Sequence, residues 1–322
     1  MATVPHIVIV GAGFSGLHAA RGLRDAPARV TVIDRTNHHL FQPLLYQVAT
    51  SSLSPADISA PIRGVLGKQN NTEVILGEVT GVDVQEQRVL MHDQSIQYDY
   101  LVLATGVQNN YFGHDEWEQF APGLKTLQDA TAIQRKILLS FEAAEQEKDP
   151  EKRQALLTFV IVGAGPAGVE MTGAVAELAH KALVSDFRHI DPALARVLLV
   201  EAGPRILPTF PETLAKKACA ALAQLDVDVR THAAVEAVDE HGAVIAGEHL
   251  AAKTVIWMAG VRGSSSGTWL GADLDRVGRV KVLRDLSIAD HPNIFVIGDN
   301  ASVMHKGKPL PGLAPIAVQE GR

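Results

Sequence analysis

One pattern occurs twice in this chain and constrains its fold more than any other feature. Residues 6–35, HIVIVGAGFSGLHAARGLRDAPARVTVIDR, open with the strand-forming run Ile7 to Val10 and continue with Gly11, Gly13 and Gly16 in G-x-G-x-x-G spacing. A helical pattern follows with Leu17, Ala20 and Leu23 on one face, and a second apolar strand, Val30 to Ile33, ends in Asp34. Strand, glycine turn, helix, strand and acid make up the dinucleotide-binding fingerprint, and each part has a physical job. Gly11 makes the tight turn, Gly13 lets the backbone approach a pyrophosphate, and Gly16 lets helix and strand pack closely. Free N–H groups at the helix N-terminus bind the phosphates, and Asp34 accepts from a ribose hydroxyl. The series returns in LLTFVIVGAGPAGVEMTGAVAEL, with Gly163, Gly165 and Gly168 behind the strand Phe159 to Val162. Its second strand, Val197 to Val200, follows the insert SDFRHIDPALAR and ends in Glu201. The expected fold class is therefore α/β: two Rossmann-like dinucleotide-binding domains with three-layer parallel sheets and small antiparallel meanders.

At 322 residues the chain has room for two domains of ordinary size. With 47% hydrophobic and 20% charged residues it has the material for a sizeable core. A net charge of −7 argues against non-specific binding to nucleic acid. The single cysteine, Cys219, rules out an intrachain disulfide or a C-x-x-C redox pair. It sits in KKACAALAQL at helical spacing with Leu214 and Leu222 and reads as a small core residue. The apolar N-terminus is itself a fingerprint strand, so it does not read as a signal peptide. The apolar stretch Ala155 to Val169 is too short and too glycine-rich to span a bilayer.

Between the fingerprints the pattern changes several times. Residues 36–66 mix polar and aromatic side chains, punctuated by Pro43, Pro55 and Pro61, and read as a long functional loop. His38 and His39 lack further ligands at fixed spacing, so a polar loop is favoured over a metal site. From Glu73, Val74, Leu76, Val79, Val82, Val84, Val89 and Met91 read as an antiparallel meander, which ends in the apolar strand Tyr100 to Ala104 and the turn Thr105-Gly106. Leu127 to Lys148 reads as a helix, ended by Asp149-Pro150. The second half repeats the theme, with VDVR, a meander and KTVIWMAG, so that Met258-Ala259-Gly260 corresponds to Ala104-Thr105-Gly106. IFVIGDNAS then supplies one more apolar strand, Gly298 and Asp299.

Taken together, DRTNHHLFQPLLYQVAT, YDYLVLATGVQNNYFGHDEWEQFAPGLKTL, VIVGAGPAGVEMTGAVAEL, EAGPRIL, MAGVRGSSSGTWLG and IFVIGDNA resemble the type II NADH dehydrogenases, the single-chain, non-proton-pumping NADH:quinone oxidoreductases. The resemblance covers essentially the whole chain. It implies an FAD-binding domain over 1–120, an inserted NADH-binding domain over 121–285, and a return to the FAD domain over 286–322. Gly11, Ala12, Gly13, Phe14, Ser15 and Gly16 would hold the FAD pyrophosphate, and Asp34 with Arg35 the adenosine ribose. Gln42, Val79, Ala104, Thr105, Gly106, Asp299 and Ala314 would complete the flavin site, Val79 touching the adenine by its backbone and Asp299 the ribityl chain. Gly163, Gly165, Gly168, Glu201 and Gly260 would hold NADH. Glu170 matches a glutamate that mediates between nicotinamide, flavin and quinone. The family's quinone-side motif matches as Ala314, Ala317, Gln319, Glu320 and Gly321, which assigns Gln319 and Glu320 to catalysis. Pro315 stands where some members have glutamine. Asn300 stands where alanine is commoner, and little effect is expected of it.

Each assignment has a plainer competitor. Glu201 favours NADH because a carboxylate repels a 2′-phosphate, although Arg205 lies four residues on. Glu170, read as lying in the first turn of its helix, would be stabilised there by the macrodipole whatever its role. Asp299 would also serve as a turn residue. A disulfide or sulfide:quinone reductase needs at least two cysteines and is excluded. A soluble ferredoxin or rubredoxin reductase, or an NADH oxidase, uses the same scaffold and is the alternative enzyme. A nucleotide-sensing module would not need the first fingerprint. In the resembling family a further region follows and ends in amphipathic helices that receive the quinone at the membrane, and nothing in this sequence reads as such a helix. These 322 residues are therefore expected to lack that region, to be soluble and to reduce membrane quinone poorly. The longer protein would lie on the cytoplasmic face of the cell membrane, with NADH and a quinone as partners and a homodimer compatible with the reading.

Overall fold

Each fingerprint's apolar strand lies in the interior of its own parallel sheet, where both faces are covered. The computed structural model describes residues 4–322, and its contacts divide the chain into two compact units.

The first unit comprises residues 4–40, 59–108 and 261–322. Its six-stranded sheet runs Ser287–Ile288, His291–Val296, Tyr100–Leu103, His6–Val10, Arg29–Asp34 and Thr72–Leu76, all parallel except Ser287–Ile288. From the strand His6–Val10 the chain first steps to one neighbour, Arg29–Asp34, and later returns on the other side as Tyr100–Leu103. That reversal is a topological switch point, where ligands of open α/β sheets bind beyond the carboxyl ends of the strands. Val8, Leu101, Leu103 and Val296 are fully buried on one side of the sheet; Ile9, Leu17, Ala20 and Val32 form the core on the other.

Residues 41–58 and 109–260 form the second unit. Its sheet is wholly parallel, in the order Val227–Arg230, Arg196–Val200, Thr158–Val162 and Thr254–Trp257. The switch point again lies beside the fingerprint strand, here between Thr158–Val162 and Thr254–Trp257. The turns correspond bond for bond. Gly11 N donates to Ile33 O at 2.8 Å and Ala104 N to Val10 O at 2.8 Å; Gly163 N donates to Val200 O at 2.7 Å and Met258 N to Val162 O at 2.7 Å.

Several expectations are corrected. The units divide at 40/41, 58/59, 108/109 and 260/261, whereas the sequence reading placed its divisions at 120/121 and 285/286. Tyr111 stacks on Trp257 with ring centroids 5.2 Å apart, which ties residues 109–120 to the second core. Leu270 and Val280 pack with Val8 and Leu101, which places 261–285 in the first. Residues 36–66 are not a bare loop: they hold the paired strands His38–Leu40 and Ser59–Pro61 and the helices Leu45–Ala49 and Ile62–Leu66. Thr72–Leu76 is a parallel edge strand rather than a meander strand, and VDVR, as Val227–Arg230, is the parallel edge strand of the second sheet; the meanders are Val79–Asp83 to Ser95–Gln97 and Val235–Asp239 to Glu248–Ala251. Asp149-Pro150 begins a second helix, Pro150–Leu156, which Asp149 caps by accepting from Glu151 N at 2.9 Å. Cys219 is only half-buried and Leu214 is exposed, because five residues separate them and the helix turns them to different faces.

Candidate functional site

In the first unit the glycine turn joins His6–Val10 to the helix Phe14–Gly22. Gly11 takes φ +97°, a region that favours glycine, and a Cβ there would lie 2.9 Å from the Ala104 carbonyl carbon. A Cβ on Gly16 would run into the Gly11 carbonyl oxygen. Packing explains both residues. Gly13 is different. Its backbone is extended and ordinary, and a Cβ built on it meets no atom within 4 Å. It is also the N-cap of a helix that has no side-chain cap, and the N–H groups at such an N-terminus favour an anion.

Asp34 locks this turn. Its Oδ2 accepts from Ala12 N at 2.6 Å, and its Oδ1 from Thr36 N and Thr36 Oγ1, both at 2.7 Å. His39 Nδ1 bonds Ala12 O at 2.9 Å, and its ring meets Phe14 edge-on at 5.3 Å. Burial holds the His39 pKa below its ordinary value. Arg35 is exposed. Ala104, Thr105 and Gly106 follow the neighbouring strand at the same end of the sheet, and a Cβ on Gly106 would also enter open space. Asp299 lies in the single turn Gly298–Asn300, just beyond His291–Val296. Val79 is a buried residue of the first core.

The motif that supplied Gln319 and Glu320 lies on the helix Ala314–Glu320. Neighbouring residues on a helix point about 100° apart, and only Glu320 turns inward: Oε2 accepts from Gly298 N at 2.6 Å, whereas Gln319 is exposed. Gly321 lies against the helix Phe14–Gly22, where a Cβ would come within 3.1 Å of Ala19 N. The Glu-Gly pair thus docks this helix and holds the peptide immediately before Asp299. Burial, together with the nearby Asp299 charge, raises the Glu320 pKa to about 7 from 4.5. The folded chain therefore keeps a proton that the unfolded chain releases between these values. Stability is greatest below that window and falls as pH rises through it. Glu320→Gln keeps an acceptor for Gly298 N–H but carries no charge. Its melting temperature should match wild type below pH 4.5 and exceed it above pH 7, as read from thermal melts across pH.

The second unit repeats the cradle. Gly163 takes φ +100° with Ala259 Cα 2.6 Å from its would-be Cβ, and Gly168 packs on the Gly163 carbonyl. Gly165, like Gly13, is an uncapped helix N-cap in extended backbone with nothing within 4 Å of a Cβ. Glu201 stands in for Asp34: Oε2 accepts from Ala164 N and Oε1 from Gly203 N, both at 2.8 Å. Arg205 is turned to another task, bonding Leu207 O at 3.1 Å, Phe210 O at 3.0 Å and Pro208 O at 2.6 Å. Gly260 has a backbone reason of its own, a φ of +73° that favours glycine.

Glu170 is corrected. The helix is Pro166–Glu177 with Gly165 as N-cap, so Glu170 is its fifth residue and lies beyond the first turn. The macrodipole fades over that distance and would in any case lower a carboxyl pKa. Desolvation raises that of Glu170, although the side chain is exposed. Gln42 lies in the segment that packs with the second unit, where its Nε2 donates to Lys125 O at 3.3 Å. Three residues that no sequence spacing points to, Ser264, Ser266 and Asn300, gather at Thr105 in the first unit.

Two nucleotide cradles, one to a unit and each closed by an acid, define a class: oxidoreductases that pass electrons between two bound dinucleotides. Residues 5–321 match the family model "Pyridine nucleotide-disulphide oxidoreductase". A Mycobacterium tuberculosis protein named type II NADH:quinone oxidoreductase Ndh is 45% identical over 97% of this chain and 70% of its own length. A Staphylococcus aureus type II NADH:quinone oxidoreductase is 31% identical over 98% of this chain and 79% of its own. The solved structure of Plasmodium falciparum NDH2 in complex with NADH superposes with a TM-score of 0.86 at 25% identity, covering 93% of this chain and 65% of that one. The chain thus spans a little under two thirds of that solved protein. It belongs to the pyridine nucleotide-disulphide oxidoreductase family and, within it, to the type II NADH:quinone oxidoreductases.

Proposed function

We propose that this chain is an FAD-dependent oxidoreductase that takes hydride from NADH and delivers two electrons to a membrane quinone, without proton pumping. The observation that carries the reading is the open space over Gly13 and Gly165 at two uncapped helix N-termini, because nothing in the protein itself asks for glycine at either position. A diphosphate fits both, facing the N–H groups of the first turn. FAD would supply the redox chemistry, accepting hydride from the nicotinamide and releasing electrons singly or in pairs to an acceptor.

The residues divide the work. Gly11, Gly13 and Gly16 shape the flavin diphosphate cradle, Asp34 fixes it and presents its remaining lone pairs to a ribose, and Glu320 holds Gly298 in front of Asp299. Gly163, Gly165, Gly168 and Glu201 do the same for NADH. Glu170 holds a proton at its carboxyl beyond the pH at which a surface glutamate would release it. The quinone as acceptor, a site of action at the cytoplasmic membrane face and assembly as a homodimer belong to the same proposal. Among the described residues no helix is long and apolar enough to cross a membrane.

The test is the visible spectrum of the purified protein before and after anaerobic NADH, followed by quinone. A flavin spectrum bleached by NADH and restored by quinone is expected; a chain without flavin, or a flavin that NADH leaves oxidised, refutes the reading. Glu170→Gln should keep FAD yet lose the acidic limb of the quinone-dependent pH profile, which in wild type lies above the ordinary carboxylate range. Wild-type turnover and an unchanged profile in that variant would remove Glu170 from the mechanism.

A further inference from the structure

Thr105 follows the strand Tyr100–Leu103 at the end of the sheet where the flavin cradle lies, and its hydroxyl belongs to a closed ring. Thr105 Oγ1 lies 2.6 Å from Ser264 Oγ and 3.0 Å from Ser266 Oγ, and the two serine oxygens are 3.0 Å apart. Asn300, fully buried, pins the ring from behind: its Nδ2 donates to Ser266 Oγ at 2.7 Å, and its Oδ1 accepts from Ser264 N at 2.9 Å. Asn300 is also the residue after Asp299. Its side chain joins the Asp299 turn to the ring.

Counting protons gives this arrangement a direction. Each hydroxyl has one proton and two lone pairs. Three oxygen–oxygen edges need three protons, and the ring holds three. Ser266 spends one lone pair on Asn300, so within the ring it accepts once and donates once. The three bonds therefore run head to tail, and no hydroxyl has a proton left over. Thr105 can face outward only with a lone pair or its methyl group.

We propose that Ser264, Ser266 and Asn300 are positioning residues that keep the Thr105 hydroxyl proton turned away from the flavin, so that Thr105 meets the cofactor as an acceptor and never as a donor. The proposal rests on the flavin reading above. A donor beside a flavin stabilises its electron-rich reduced form; withholding one keeps the reduction potential low, which suits delivery of electrons to an acceptor.

The experiment measures the flavin midpoint potential and the FAD dissociation constant in the reconstituted full chain, with thermal melts of the apo form as the control for folding. Removing both serine hydroxyls, Ser264→Ala with Ser266→Ala, frees the Thr105 proton and should shift the potential to more positive values. Ser264→Thr keeps the hydroxyl and should leave the potential in place. Asn300→Ala releases the Asp299 turn and should weaken FAD binding about tenfold, the loss of one good hydrogen bond. Thr105→Val, which removes the proton itself, supplies an independent arm and should produce no negative shift. A potential unmoved in the double variant, or a negative shift in Thr105→Val, overturns the proposal; a purely structural network would lower the melting temperature and leave the potential alone. A wild-type chain that takes up no FAD refutes the flavin reading and this proposal with it.

Discussion

A Gly13→Val chain should fold like wild type and carry no flavin. A Cβ at Gly13 meets no protein atom within 4 Å, and the backbone there is extended, a region open to branched residues. Exchanging one uncapped N-cap residue for another should cost less than about 1 kcal/mol. The valine methyls instead fill the space through which a diphosphate reaches the N–H groups of the first turn. Each charge-assisted bond to such a group is worth roughly 1.5–3 kcal/mol, so losing two weakens FAD binding on the order of 1000-fold. Gly165→Val makes the complementary case. It should keep FAD, become insensitive to NADH and still bleach with dithionite, because the cradle it fills lies on the second unit. Gly11→Val is the contrast. With φ +97° and the Ala104 carbonyl against its would-be Cβ, it should fail as a fold before any question of ligand arises. Absorbance at the flavin band, set beside melts of the apo proteins, reads all three. A Gly13→Val chain as yellow as wild type would remove the diphosphate from that turn.

What the sequence made legible was what local rules control. The fingerprint strands, the glycine turns and their closing acids each follow from a short stretch, and the two copies fold to matching hydrogen bonds. Other features escaped for definite reasons. Thr72–Leu76 is a short apolar edge strand with Val74 packed on one core and Ile75 on the other, and a short run of this kind reads like a meander strand. Glu170 lies beyond the first turn because the helix starts two residues before the last glycine, at Pro166, with Gly165 as its cap. The Thr105 ring had no local signature at all, since its members lie 159 and 161 residues apart in sequence. His39 carries no spacing that ties it to the glycine turn, yet the fold bonds it to the Ala12 carbonyl within the first cradle. The acid at the end of each cradle was legible as a ribose ligand, but not in its second capacity. Asp34 and Glu201 also tie the glycine turn to the following strand, so each is already oriented by backbone donors before any nucleotide arrives.

That second capacity sharpens the expected preference for NADH over NADPH. Glu201 is held by Ala164 N and Gly203 N, and swinging aside to admit a 2′-phosphate would break both bonds. The phosphate would meet a carboxylate held in place, and like charges in close contact are strongly disfavoured. Arg205, four residues on, spends its guanidinium on the carbonyls of Leu207, Pro208 and Phe210. NADH should therefore reduce the flavin far faster than NADPH at equal concentration. Glu201→Ala should raise the KM for NADH roughly 10- to 100-fold, the loss of a charged-group hydrogen bond of about 1.5–3 kcal/mol, while the rate with NADPH rises or holds. Arg205→Ala should loosen the 207–210 loop and leave the nucleotide preference where it was. Stopped-flow reduction of wild type, Glu201→Ala and Arg205→Ala with both nucleotides separates these effects. Equal rates with NADH and NADPH in wild type would sink the assignment, and a preference that shifts in Arg205→Ala would show that the guanidinium takes part in reading the ribose after all.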